Sequence, residues 1–176
     1  MRRRDRYPWG EGPRQTVVIT LTRNEITFAA DFETAKVGQV AFMSADSKYK
    51  KHAENTLTGK ETKDWLDRQI EDAYQDLKRK SRAYIDTLKC RVVKDTIDWT
   101  KCEWVLCLQM PCEWRGEADE LVSAANRYVT SYVLERWYEM VEPNRSTVYA
   151  QRKRDAMSHY RDTLHMSPVR TQYLIY

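Results

Sequence analysis

Glycine and proline are scarce in this chain, five of each among 176 residues, which sets aside collagen-like, linker-like and broadly disordered organisation. Long apolar runs are missing too. None approaches the roughly 18 to 20 residues that a bilayer-spanning helix needs, and mean hydropathy is −0.78, so no membrane span or membrane partner is expected. The opening segment MRRRDRYPWGEG is basic but lacks the apolar stretch of a secretory signal, which leads to the expectation of a soluble, intracellular protein. There is no Walker loop, no Gly-x-Gly-x-x-Gly and no zincin motif, so the sequence offers no phosphate cradle and no nucleotide or metal signature.

The cysteines are few: Cys90, Cys102, Cys107 and Cys112. Four cysteines allow three pairings, but without a secretion signal reduced, partly buried thiols are expected. The last three are spaced by four residues each time, and positions five apart on a strand point to opposite faces, so they cannot converge on a metal. His52, His159 and His165 do not form a zinc pair, His159 and His165 being six apart on a helix and therefore on different faces. Carboxylate pairs such as Asp67 with Glu71 and Asp72 with Asp76 sit among lysines and arginines and read as solvated salt bridges. No nucleophile has an identifiable base beside it, so no catalytic residue, cofactor or metal is expected.

Aromatic residues are abundant: six Trp, eleven Tyr and three Phe within a 41% hydrophobic composition. That is material for one packed core in a chain of single-domain length. The net charge of +4 is unevenly spread. Residues 1–15 carry Arg2, Arg3, Arg4, Arg6 and Arg14 against Asp5 and Glu11, while residues 143–176 carry six cations against Asp155 and Asp162. A slightly acidic body therefore has two basic ends, a distribution that suits contact with nucleic acid or an acidic surface. A short basic arm also fits a merely solvated tail.

Pro8, Gly10, Gly12 and Pro13 make residues 1–15 an extended arm, within which Tyr7 and Trp9 would expose apolar area unless something covers them. Thr16 to Thr22 alternates as a strand with Val17, Ile19 and Leu21 on one face. Thr22-Arg23-Asn24-Glu25 has the form of a capping box, and Ile26, Ala29, Ala30, Val37, Val40 and Ala41 follow near a helical stripe. Ile26, Phe28, Ala30 and Phe32 also alternate like a strand; the cap and the alanines favour helix. Residues 44–60 read as a polar loop. Thr62 to Leu88 reads as an amphipathic helix through Leu66, Ile70, Ala73, Leu77, Tyr84, Ile85 and Leu88, with acids early and bases late. Cys102, Trp104, Leu106, Leu108 and Met110 share one face of a second strand, which Pro111 ends and which Cys90 to Ile97 could join as a hairpin. Ala118 to Val141 and about Ser146 to Leu164 read as two helices separated at Pro143, and their short link implies an antiparallel pair. The first of them has a broad apolar face that includes Met140. The second uses Val148, Tyr149, Ala156, Met157, Tyr160 and Leu164 against Arg152, Lys153, Arg154 and Arg161. Trp65, Trp104 and Trp137 fall at core positions. The tail, residues 169–176, ends Tyr173-Leu174-Ile175-Tyr176, and such a segment is expected to dock.

The expected fold is thus α+β: about three long helices, two of them a C-terminal hairpin, packed on a small, mainly antiparallel sheet, with an arm (1–15), a single domain (16–168) and a hydrophobic tail (169–176). Three stretches in this arrangement, VVITLTRNEI, KDWLDRQIEDAYQDLKRKSRAYI and NRYVTSYVLERWYEMVEPNRSTVYAQRKRDAMSHYRDTLHMSPVR, span roughly residues 16 to 170. Together they resemble the small neck, or head-to-tail connector, proteins of tailed bacteriophages and gut-bacterial prophages. The hairpin is the most telling, with Leu134-Glu135-Arg136-Trp137 in its first helix, Tyr149-Ala150 in its second and the exit Pro168-Val169-Arg170. The resemblance implies a non-enzymatic virion component that assembles as a ring, commonly twelvefold, between portal and tail around the DNA channel. Its partners would be other copies of itself, the portal protein, tail or further neck proteins and, without sequence reading, the packaged DNA. Tyr7, Trp9, Leu174, Ile175 and Tyr176 would then contact partners, and Arg2, Arg3, Arg4, Arg6, Arg152, Lys153 and Arg154 would supply channel or partner electrostatics. A small nucleic-acid-binding or regulatory protein using its basic ends is the alternative, and an enzyme whose site is assembled from distant residues is a third reading.

Overall fold

The structure, a computed structural model, describes residues 15–43, 63–85 and 103–166, the side chains of 37–43 excepted. In chain order the elements are β1 (Gln15–Thr22), α1 (Arg23–Met43), α2 (Lys63–Lys80), β2 (Glu103–Met110), α3 (Ala118–Val141) and α4 (Pro143–Leu164). The fold is α+β, with four helices and a small two-stranded sheet among the described residues. Strand β1 starts at Gln15, one residue inside the segment expected to be arm.

β1 and β2 pair antiparallel, from Gln15 opposite Met110 to Thr22 opposite Glu103. The alternation in each strand sends Val17, Ile19 and Leu21, with Trp104, Leu106, Leu108 and Met110, to the buried face. The other face leaves Val18 and Val105 exposed. Cys90 to Ile97, expected to pair with β2, lies outside the described residues, and the tail, the 44–60 loop and all of the arm except Gln15 lie there too. Among the described residues β2 pairs with β1, more than eighty positions earlier in the chain.

The helix of α1 starts where its cap lies: the Glu25 amide donates to Thr22 Oγ1 at 3.4 Å. Among the described side chains of α1, Ile26 and Ala30, one turn apart, are the buried ones. Val37, Val40 and Ala41 have no described side chains. Arg23 ties the start of α1 to α2: its Nε and Nη2 donate to Asp67 Oδ1 and Oδ2, each at 2.6 Å.

α2 buries Leu66, Ile70, Ala73, Tyr74 and Leu77, but it ends at Lys80, and the expected continuation to Leu88 is corrected. Ser81 is fully buried and its hydroxyl meets the Tyr160 hydroxyl at 2.5 Å. The chain then turns, and Ile85 bridges to Leu108 while the Gln109 amide donates to the Tyr84 carbonyl at 2.6 Å. Pairing with the sheet edge thus wins over helical continuation, and Tyr84 is buried from a turn rather than from a helical stripe.

α3 and α4 form an antiparallel hairpin joined through Glu142, and α3 also packs on the sheet, α1 and α2. Pro143 is the first residue of α4 rather than a gap before it, since proline at the first helical position gives up only an amide that would lack a partner anyway. Two expected core positions are solvent-facing, Met140 in the last turn of α3 and Val148 near the start of α4. One large core joins β1, β2 and all four helices. A second, of Ala30, Leu134, Trp137, Tyr138 and Tyr149, packs under the closed end of the hairpin with Tyr138 and Tyr149 stacked at 4.9 Å. Trp104 and Trp137 are buried as expected, and Trp65 packs half-buried on Trp137.

The β2–α3 link is held by Trp114, a buried indole whose N–H donates to the Thr163 carbonyl at 2.8 Å. A Cβ built at Gly116 would stand 2.5 Å from this ring, so only glycine fits beside it. Gly116→Ala is expected to destabilise the domain by about 1–3 kcal/mol, the usual range for overpacking, seen as a lower melting temperature. An unchanged melting temperature would mean that the ring is free to move away.

Candidate functional site

The buried stripe of α4 is Tyr149, Ala156, Tyr160, Thr163 and Leu164. At 3.6 residues per turn, the positions beside that stripe fall on two flanks. Lys153, Arg154, Met157, Ser158 and Arg161 border one concavity, and Arg152, Asp155 and His159 border another.

The first concavity is a basic cleft of about 560 Å³ between the last turn of α2 and the α4 flank, and Arg79, Lys80, Lys153, Arg154 and Arg161 line it against Asp76. Asp76 is already engaged twice: it pairs with Arg79 and accepts from the Tyr128 hydroxyl at 3.1 Å. Burial, and next the adjacent Asp76 charge, push the Tyr128 phenol well above its ordinary range, so it stays a neutral donor. Lys153 pairs with Glu135, a buried carboxylate on α3. Lys80, Arg154 and Arg161 have no carboxylate within ion-pair distance among the described residues. The C-terminal end of α2 brings a partial negative charge of about half an elementary unit, less than one of these cations.

The second concavity is a groove of about 960 Å³ between α1 and the hairpin, lined by Phe28 and Phe32 from α1, Val122, Asn126 and Leu134 from α3, and Ala156 from α4, with charged residues at the rim. Phe28 and Phe32 stack at 6.4 Å and are 74% and 53% exposed, an unusual amount of bare aromatic surface. Arg152 pairs with Glu33 at 3.2 Å, and His159 approaches Glu120 at 3.3 Å. Asn126 Oδ1 is buried and has no hydrogen-bond partner among the described residues. Leaving an acceptor so is costly unless something donates to it.

Arg152, Lys153 and Arg154 are consecutive, and a helix sends consecutive positions in different directions. Arg152 goes to the apolar groove, whereas Lys153 and Arg154 reach the cleft. Arg2, Arg3, Arg4, Arg6, Tyr7, Trp9, Leu174, Ile175 and Tyr176 lie outside the described residues. Read along the chain, Arg79 and Lys80 belong to the late bases of α2 and Arg161 to the cations of α4, and nothing local joins them into a site. The available signal was the seven-residue step from Arg154 to Arg161, which keeps both on one face. Phe28 and Phe32 were visible only as part of a competing strand pattern; their four-residue spacing on a helix is what makes them neighbours.

Among the described residues, no group of three His, Cys, Asp or Glu side chains could hold a metal, and no helix is long and apolar enough to cross a membrane. Cys107 is half-buried and Cys112 exposed. Both concavities offer binding chemistry, the one through unmatched positive charge and the other through apolar area. No family model, curated protein or solved structure matches the chain.

Proposed function

We propose that this protein is a non-enzymatic structural component of a tailed-phage virion, a neck subunit that assembles as a ring around the DNA channel and joins portal to tail. The observation that carries the reading is the hairpin with two unlike faces, a basic cleft on one flank of α4 and an apolar groove on the other. A ring subunit meets its neighbours through two different surfaces, and unlike faces on one rigid element suit such a heterologous contact. Phe28 and Phe32 are features that a neighbouring subunit would cover. The resemblance of the hairpin sequence to neck proteins points the same way.

In this reading Tyr7, Trp9, Leu174, Ile175 and Tyr176 anchor the two ends on adjacent copies or on portal and tail proteins, in a ring for which twelvefold symmetry is expected. Electron microscopy of purified particles tests it. The expected result is a layer of this chain between portal and tail, with Phe28 and Phe32 covered by a neighbour. Particles that lack the chain, or carry it elsewhere, overturn the reading.

A further inference from the structure

We propose that the cleft between α2 and α4 is a site for the phosphates of a nucleic-acid backbone, bound without regard to base sequence. The inference deepens the neck reading, on which its biological setting rests, by moving the nucleic-acid contact from the basic ends into the folded body.

The cleft gathers unmatched charge. Elsewhere on the hairpin Arg136 is paired with Glu139, Arg145 with Glu142 and Arg152 with Glu33, and Arg127, at the apolar groove, is a single cation without an ion pair among the described residues. In the cleft the single acid is taken up by Arg79 and Tyr128, while Lys80, Arg154 and Arg161 converge from two helices with no acid to answer them among the described residues. Like charges gathered in a concavity raise the local potential and favour a polyanion. Two of the three are guanidinium groups, whose planar forks match phosphate oxygens.

Spacing decides between a polymer and a single phosphate. Arg154 and Arg161 stand two turns apart, about 10.5 Å along α4, whereas one strand of duplex DNA carries a charge every ~3.4 Å of helix axis. A row of this length suits more than one phosphate of a strand. Among the described residues the cleft lining has no glycine-rich loop to supply backbone donors to a single phosphate, and its apolar members there are Met157 and the engaged Tyr128, which offer no platform for stacking a base. Contacts of this kind position a backbone and carry no sequence information.

The test compares the wild-type protein, Lys80→Glu/Arg154→Glu/Arg161→Glu, and Arg2→Ala/Arg3→Ala/Arg4→Ala/Arg6→Ala in binding a short duplex of mixed sequence at several salt concentrations. The three cleft residues are exposed and have no ion pair among the described residues, so their replacement should leave the fold intact, which circular dichroism checks. The wild type should bind with affinity falling as salt rises. The cleft variant should bind at least tenfold more weakly, and the magnitude of its slope of log affinity against log salt should be lower by about 2 to 3, one step per lost phosphate contact. The arm variant should keep the cleft contribution. A cleft variant that folds and binds like the wild type overturns the proposal. Competition by millimolar inorganic phosphate at constant ionic strength also overturns it, since that makes the cleft a small-anion site, as does equal competition by polyglutamate at matched charge, which makes it a site for acidic protein. Loss of the cleft site with the chain still present in the neck layer leaves the neck reading standing; DNA binding through the cleft by a chain absent from particles does the reverse.

Discussion

Asp67→Ala should remove about 3 to 5 kcal/mol of folding stability, the cost of breaking a buried ion pair from one side. Asp67 is 6% exposed and Arg23, at the first position of α1, is 13% exposed, and the two meet in a bidentate pair with both contacts at 2.6 Å. The loss of the carboxylate leaves a guanidinium in low dielectric without its two strongest acceptors, and that desolvation is what the variant exposes. Since domains of this kind are stable by only about 5–15 kcal/mol, the loss is a large part of the total. The double variant Arg23→Met/Asp67→Leu should recover most of it, because apolar replacement of both partners removes the penalty along with the attraction. Urea denaturation of the single and double variants measures the coupling. Equal losses in Asp67→Ala and the double variant would show that the pair matters through packing rather than charge. The pair also bears on the groove: it pins the end of α1 from which Phe28 and Phe32 project, so the single variant should uncouple that aromatic wall from the hairpin before the rest of the core is lost.

The parts of this fold that were legible in the sequence are those in which one periodicity had no competitor. β2 alternates without ambiguity, and its core-facing Trp104, Leu106, Leu108 and Met110 are all buried. The Ala118–Val141 helix begins and ends where its pattern does. Failures came where a long-range contact decides the outcome. Tyr84 and Ile85 continue the helical spacing of α2, yet the chain leaves the helix because Ser81 is captured by Tyr160 and Ile85 by Leu108, partners 79 and 23 positions away. No local window contains either. The pairing of β1 with β2 was hidden for the same reason, because more than eighty positions separate the paired residues. The site was half legible. A run of three cations, Arg152 to Arg154, drew notice as a block, but helical geometry divides it between two surfaces and completes one of them with Arg79, Lys80 and Arg161, which read along the chain as ordinary solvated charges.

The second large effect is expected at Trp104. Its indole is 2% exposed, sits on β2 opposite Leu21, and donates its N–H to Glu71 Oε2 on α2 at 2.5 Å. One side chain thereby joins sheet packing to a specific contact with the helix that forms one wall of the basic cleft. Trp104→Ala should cost about 3–5 kcal/mol, combining lost burial with a cavity that the surrounding tyrosines and leucines can only partly close. Trp104→Phe keeps most of the volume and removes the N–H, so its cost should be smaller, about 1.5–3 kcal/mol for a hydrogen bond to a charged group. The order of the two costs separates the contributions: if Phe is as damaging as Ala, the link to Glu71 rather than bulk holds α2 against the sheet. Thermal and urea denaturation of both variants give the order. The comparison with the cleft extends further, because Trp104→Ala should weaken nucleic-acid binding together with the stability of the platform, whereas the Lys80, Arg154 and Arg161 reversals should weaken it at least tenfold on an intact one. A Trp104→Ala protein that melts at the wild-type temperature would remove the sheet from among the supports of the hairpin, and with it the reason that both faces of α4 are held in fixed positions.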